Sequence, residues 1–500
     1  MQCCIRTERK LVKRDPMLYG HFIEHFHRQI YGGVFDPESP FADKDGLRTD
    51  VLEAMRKIRV PVLRWPGGCF VSSYNWKKAV GPNRVPAFDK SWRVEDPNTF
   101  GTDEYVNLCR KVGCEPYICT NAGTGTPEEM SDWVEYCNLD HEGEYARWRI
   151  ANGHRAPHKV KYWSIGNENY GAWELGAKAV GEWGRLVLES AKLMKHVDPE
   201  AELSAAALAD IHWNVDLLSH CGQYIDWISI QKYCNLMPQH NDFATYEQSM
   251  AYTNDLDTDI RKVRGLLTAM GLEKRIKIAY DEWNLRGWHH PNAHTIYQGR
   301  TPEEYLLPRD KNDINADYTM ADAVFTACFL NTLNRNCDIV GMANFAPIVN
   351  TRGCIFTHKA GIVLRSTYHV FDLYVNHLGD EILDSWDEHA ETMHVIGKDG
   401  HAEDVSVLDV LPTRRSADGA LAIAAVNKHA SEQRDLRLVL EDVQHVTRYR
   451  VLTVNGASTE SYNDIGDTQV TLSEGSWQQL SAPVLTITLS PHSVNVIEVE

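Results

Sequence analysis

Between Met17 and Ala346 the chain repeats one pattern eight times: a short apolar run followed by a longer amphipathic stretch. Such βαβα alternation builds a parallel sheet with helices on its outside. The predicted strands begin with Leu18–Ile23, Pro61–Trp65, Pro116–Thr120 and Val160–Ile165. Glu202–Ala206, Trp227–Ile230, Ile276–Tyr280 and Val340–Phe345 follow. Eight is the number that closes a (β/α)8 TIM barrel, so the fold class is α/β, and 500 residues leave room for a further module.

The segments between the strands read as helices. Leu47, Val51, Leu52, Met55 and Ile58 recur at helical spacing over Leu47–Ile58. Thr102 precedes two acids and starts Tyr105–Val112, while Thr126-Pro127-Glu128-Glu129 puts proline at a first helical position with acids in the first turn. Lys178–His196 and Asp313–Asn336 are the longest. Gly81–Pro97 and Arg286–Asp310 read as long loops over the barrel mouth, a length usually kept for function. Past about Tyr374 the runs Val405–Val410, Leu421–Asn427, Leu436–Leu440, Val484–Leu489 and His492–Val499 form an all-β module, most simply a sandwich. The predicted division is 1–15, a strand joining that sandwich (Ile5–Lys13), then 16–373, the catalytic barrel, and 374–500, the sandwich.

Net charge is −18 with no basic run, which excludes a nucleic-acid partner. There is no 18-residue apolar stretch to span a membrane. Met1–Arg14 lacks the apolar segment of a signal peptide, so a cytoplasmic location is expected if residue 1 is the native start. Cys109, Cys114 and Cys119 do not have the spacing of a zinc pair, and the cysteines read as buried, reduced thiols. Two histidine trios, His21/His25/His27 and His289/His290/His294, lack further ligands at motif spacing. No metal and no cofactor is therefore expected.

Two strings end predicted strands with a carboxylate: Gly166-Asn167-Glu168 after the fourth and Asp281-Glu282-Trp283 after the seventh. Barrel chemistry sits at the C-terminal ends of strands, where residues distant in sequence converge. Glycoside cleavage needs two carboxyls, one to protonate the leaving oxygen and one to attack the anomeric carbon or activate water. Glu168 reads as the acid/base and Glu282 as the nucleophile, with Asn167 placed to bind the hydroxyl next to the reacting carbon. The alternatives are a sugar-binding protein that has lost catalysis, which both carboxylates oppose, and a metal-dependent hydrolase using His289, His290 and His294.

With those residues stand Gly20-His21-Phe22-Ile23-Glu24-His25, Ile30-Tyr31-Gly32-Gly33 and Leu63-Arg64-Trp65-Pro66-Gly67-Gly68. Pro97–Thr102, Gly123–Glu129, Lys161–Glu168 and Asp281-Glu282-Trp283-Asn284 complete the set. Together these strings make the chain resemble glycoside hydrolase family 51, the retaining α-L-arabinofuranosidases of the clan-A barrels. The resemblance implies exo-action on small arabino-oligosaccharides, a jelly-roll sandwich and a homo-oligomer, usually a hexamer. It assigns Glu168 as acid/base and Glu282 as nucleophile, puts Glu24, Arg64, Asn167 and Tyr233 around the sugar, and places Trp92 beside it. Four positions depart from the family pattern: Cys69 for Asn, Gln231 for His, Pro347 for Gln, and Arg286 for an aromatic. An unpaired buried hydroxyl costs roughly 1–3 kcal/mol, so these changes predict either an altered glycone or waters in place of the missing groups. The runner-up is thus a same-fold glycosidase for another sugar, such as a β-D-galactofuranosidase, or an endo-acting glucanase.

Overall fold

The computed structural model describes residues 1–235, 244–287, 313–397, 400–443 and 446–500. All eight predicted barrel strands form. They are β1 (Gly20–Phe22), β2 (Val62–Trp65), β3 (Glu115–Thr120), β4 (Tyr162–Ile165), β5 (Glu202–Ala206), β6 (Trp227–Asn235), β7 (Lys277–Arg286) and β8 (Val340–Phe345). Each pairs in parallel with its sequence neighbours and β8 returns to β1, which closes the barrel.

Inside, the period of two along a strand sets the function of each layer. Val62, Tyr117, Tyr162, Ala279 and Met342 pack with Trp227 into an apolar plug. Two residues further along the same strands stand Arg64, Cys119, Ser164, Asp281 and Asn344, all buried and mostly polar. The plug closes the lower barrel, and the polar layer above it floors the site.

The predicted helices form at Thr49–Lys57, Thr102–Val112, Pro127–Asn138 and Val180–Val197, and at Met320–Arg335 after a short 3-10 turn. Thr126 caps its helix as the sequence suggests, its hydroxyl accepting from Glu129 N at 3.1 Å. No helix among the described residues is long and apolar enough to cross a membrane. The twelve cysteines are free, and all but Cys234 are buried.

The C-terminal module is built on one path of hydrogen-bonded strands, and Gln2–Lys13 joins it between Glu381–Glu388 (antiparallel) and Arg434–Glu441 (parallel). The run read as one strand, Val405–Val410, is two. Ala402–Ser406 pairs with Thr392–Ile396 as a separate hairpin, whereas Leu408–Arg414 enters the main sheet. They part at Val407, whose N–H donates to Glu391 O at 2.9 Å on the hairpin side while its carbonyl accepts from Lys428 N at 2.8 Å on the side of the main sheet. Helix Ser366–His377 leads from the barrel to this all-β module, and helix Met320–Arg335 packs against both. Arg335 pairs with Asp409 across that contact.

Candidate active site

Glu282 owes its position to a bulge. Opposite β6, Tyr280 faces Ile230 and Glu282 faces Gln231, so Asp281 is an extra residue in β7. A bulge breaks the alternation of side chains, and as a result two consecutive carboxylates reach one guanidinium. Arg64 Nε lies 3.4 Å from Asp281 Oδ2 and Arg64 Nη1 donates to Glu282 Oε1 at 2.5 Å. Trp283 turns away and stacks on Phe329 of the outer helix layer, centroids 4.0 Å apart.

Three side chains hold the Glu282 carboxylate. Besides Arg64, Gln231 Nε2 donates to Oε1 at 3.1 Å and the Tyr233 hydroxyl donates to Oε2 at 2.7 Å. Arg64 also donates to Asn167 Oδ1 (2.9 Å), which accepts from Gln231 as well (3.2 Å). Burial raises the Glu282 carboxyl above the ordinary range and the charge of Asp281 adds to the rise, while Arg64 and Tyr233 pull against it.

Glu168 sits just past β4 in a left-handed conformation, φ 47°. Strained backbone of this kind costs about 1–2 kcal/mol and collects at functional sites. Gly166 before it has φ +71°, and a Cβ there would lie 2.1 Å from Asn169 Oδ1 and 2.6 Å from the Trp183 ring. Only glycine lets the strand turn so sharply. Half-buried, Glu168 accepts from Trp173 Nε1 at 2.7 Å. Burial, then the charges of Glu282 and Glu174, raise its carboxyl well above the ordinary range.

Glu174 is a third acid in the pocket. After Glu168 the chain folds back through bonds from Gly171 N to Glu168 O (2.7 Å) and from Glu174 N to Gly171 O (3.0 Å). That places a side chain only 4% exposed beside Asn167, whose Nδ2 donates to Glu174 Oε2 at 3.2 Å. Burial pushes this carboxyl up to about 7. Ligating atoms of Cys69, Glu168 and Glu174 lie within 4.8 Å of one another.

The opposite wall is built around Glu24, just past β1. Its Oε1 accepts from Phe70 N and from Trp92 Nε1, each at 3.0 Å. The chain at Gly67 passes so close that a Cβ there would meet Glu24 Cγ at 2.6 Å. Gly81–Pro97, read as a loop, contains a hairpin of Ala87–Asp89 and Val94–Asp96 with Trp92 in its turn. Trp92 is fixed by its N–H on Asp89 Oδ2 (2.7 Å) and by its ring against Phe26 (3.9 Å).

The predicted site residues therefore fall into two sets. Glu24, Arg64, Cys69, Trp92, Asn167, Glu168, Gln231, Tyr233 and Glu282 share this network or adjoin it. Arg286 is engaged at the end of β7 by Asp322, through Nε at 2.8 Å and Nη2 at 2.9 Å. Pro347 is buried directly after β8, next to Ala346, whose carbonyl accepts from Asn284 Nδ2 at 3.0 Å. The first histidine trio is divided among three tasks. His25 Nδ1 bonds Asp96 (2.7 Å) and its Nε2 accepts from Trp65 (3.0 Å). His27 faces Asp313 at 3.3 Å. His21 lies among Phe345 and Phe371, where burial lowers it to about 3. His289, His290 and His294, with most of the loop Arg286–Asp310, lie outside the described residues.

Sequence reasoning missed Glu174, Trp173 and the part played by Asp281. The last was one residue from an assigned carboxylate, but only a bulge turns both inward. Glu174 lies six residues past Glu168 in a stretch with no periodicity, so nothing local marks it.

Similarity to known proteins follows the same outline. The family model described as α-L-arabinofuranosidase 1 domain matches residues 54–250, and that of the α-L-arabinofuranosidase C-terminal domain matches residues 281–493. The intracellular exo-α-(1→5)-L-arabinofuranosidase of Halalkalibacterium halodurans is 32% identical over 98% of this chain and 96% of its own length. The α-L-arabinofuranosidase of Thermotoga maritima, solved as an arabinose complex, superposes with TM-score 0.88 at 32% identity, covering 99% of both chains. The thermostable GH51 α-L-arabinofuranosidase of Thermotoga petrophila gives TM-score 0.87 at 32% identity over 100% of both.

Proposed function

The chain belongs to glycoside hydrolase family 51, the α-L-arabinofuranosidases, and from that premise we propose that it releases terminal, non-reducing α-L-arabinofuranosyl residues from arabino-oligosaccharides with retention of configuration. One observation carries the assignment of roles: the two carboxyls stand in opposed surroundings. Glu282 receives three side-chain donors, which favour its ionised form. Among the described residues Glu168 receives one, from Trp173, and it faces Glu282 and Glu174, which favours its protonated form. Pairs whose surroundings diverge in this way divide the work of acid and nucleophile.

In the first step the Glu168 proton passes to the glycosidic oxygen while Glu282 attacks the anomeric carbon. The leaving alcohol departs and a glycosyl ester on Glu282 remains. In the second, Glu168, now ionised, takes a proton from water. The water oxygen bonds to the anomeric carbon, and the ester bond to Glu282 breaks. Arg64 keeps Glu282 charged and oriented, and Tyr233 holds its second oxygen. Asn167 offers its amide to the neighbouring hydroxyl, while Glu24 accepts hydroxyls on the opposite side and Trp92 fixes Glu24. Gln231 Oε1, buried and without a hydrogen-bond partner among the described residues, is a further acceptor for the sugar.

Full-length likeness to proteins named arabinofuranosidases supports the arabinofuranoside over another furanoside or an endo-glucanase. The intracellular relatives support a cytoplasmic role in arabinan breakdown. The jelly-roll form of the sandwich and a hexamer follow from family resemblance, and light scattering of the purified protein tests the latter. Hydrolysis of p-nitrophenyl α-L-arabinofuranoside beside the β-D-galactofuranoside tests the glycone. Fast release from the first supports the proposal; turnover of the second alone overturns it and assigns Cys69 and Pro347 to a redirected pocket.

A further inference from the structure

Away from the barrel mouth, three side chains from two separate segments converge on one point. Asp103 lies in the first turn of helix Thr102–Val112, and His154 and His158 lie four residues apart in the connection that leads into β4. His158 Nε2 is 2.8 Å from Asp103 Oδ1, and His154 Nε2 is 3.5 Å from Asp103 Oδ2. One nitrogen from each ring and one carboxylate oxygen fall within 4.8 Å of one another. Ligands at ordinary zinc distances from one tetrahedral ion are separated by about 3.3 Å, so the three atoms already stand close to a coordination triangle.

Three features distinguish this cluster from an incidental surface group. The spacing His154-x-x-x-His158 is one that zinc sites use. The carboxylate is oriented from behind, because the Tyr136 hydroxyl bonds both of its oxygens at 3.1 and 2.9 Å and is itself held by Asn152 Nδ2 at 3.1 Å. Supporting bonds of this kind hold ligands in place in metal sites. The cluster also opens to solvent through a cavity of about 430 Å³, lined further by Asp45, Glu104 and Arg110. His154 is half-buried and supplies the entry side; Asp103 and His158 are buried.

We propose that Asp103, His154 and His158 bind a zinc ion outside the catalytic centre, with water or a second carboxylate oxygen completing a tetrahedral site. Two imidazoles and one carboxylate select a borderline transition cation over magnesium or calcium, which prefer oxygen ligands. Bound there, the ion fastens the connection before β4 to helix Thr102–Val112. It clamps the strand that presents Glu168 and takes no part in the chemistry.

The test is calorimetric titration of chelator-treated full-length protein with zinc chloride in a non-coordinating buffer, with thermal unfolding followed in parallel. The expected result is one zinc per chain, a raised Tm, and weaker binding as pH falls through the histidine range, since only neutral imidazole ligates. His154→Ala, at a half-buried position outside the hydrophobic core, should weaken binding at least about tenfold and remove the Tm shift. Absence of stoichiometric uptake overturns the proposal. So does uptake that His154→Ala leaves unchanged, which would place the ion elsewhere. Magnesium at the same concentration should leave Tm unmoved, and an equal shift with magnesium would overturn the assignment to zinc.

Discussion

Arg64 and Glu282 meet at 2.5 Å in the barrel interior although 218 residues separate them in the chain. Asp281, next to Glu282, lies against the same guanidinium at 3.4 Å. One buried cation thus balances two adjacent buried anions, and the bulge in β7 brings both into its reach. Arg64→Ala would leave both acids uncompensated, and breaking a buried pair from one side costs about 3–5 kcal/mol. Denaturant unfolding should register that loss. Arg64→Lys keeps a charge but not the planar fork. It should fold better than the alanine variant and still lose about 100-fold in kcat through misplacement of the nucleophile.

Glu282→Ala should reduce kcat by about 10⁴-fold or more, the scale found when a covalent nucleophile is removed. Steady-state hydrolysis of p-nitrophenyl α-L-arabinofuranoside measures it. Activity within tenfold of the parent would remove Glu282 from the nucleophile's role.

Glu168→Ala should behave differently according to leaving group. p-Nitrophenolate departs with little help from a proton, whereas a sugar alkoxide needs one. Cleavage of an arabino-oligosaccharide should therefore fall about 10-fold to 100-fold further than cleavage of the aryl glycoside. Equal losses on the two substrates would contradict the acid/base assignment.

Glu174→Gln should move the basic limb of the kcat/KM profile to lower pH. The charge of Glu174 is one reason that the Glu168 carboxyl is raised, and its removal lets Glu168 lose its proton earlier. A change of kcat alone, with both limbs in place, would mean that Glu174 acts only by holding Asn167. The same variant bears on stability. Burial raises Glu174 to about 7 from an ordinary 4.5, so the folded state binds its proton more tightly than the unfolded chain. Its contribution is complete below the unfolded value and is lost as pH rises from about 4.5 through about 7. Glutamine should flatten the pH dependence of Tm in that window.

Gly166→Ala should destabilise the protein by more than about 1 kcal/mol, because alanine must take a left-handed φ and displace Asn169 or Trp183. Activity should fall further than the lost stability explains, since Glu168 lies two residues on. A variant with unaltered Tm and rate would show that this turn has room to relax.

The eight barrel strands were legible because a strand's burial follows from its own residues: each predicted run falls on a strand of the closed barrel. Strand ends were less so. β6 and β7 continue in register to Asn235 and Arg286, past the predicted ends, through polar residues whose burial comes from partners on the adjacent strand, as Gln231 and Tyr233 donate to Glu282. In the C-terminal β module, Glu381–Glu388 was not predicted. Its acids look like surface until Lys10 and Arg6 of the N-terminal strand pair with Glu381 at 3.0 Å and with Asp384 at 3.1 Å. The predicted Arg286–Asp310 loop lies largely outside the described residues.

By itself the sequence determined the barrel, the β-rich C-terminal module and the two carboxylates at strand ends, because hydrophobic period and strand-end position are local properties. Tertiary structure decided how those carboxylates differ. The three donors on Glu282, the third acid at Glu174 and the bulge that turns Glu282 inward beside Asp281 are contacts between segments far apart in the chain or hidden in an aperiodic turn. A carboxyl's protonation depends on the charges and solvent around it, and folding alone brings those into place.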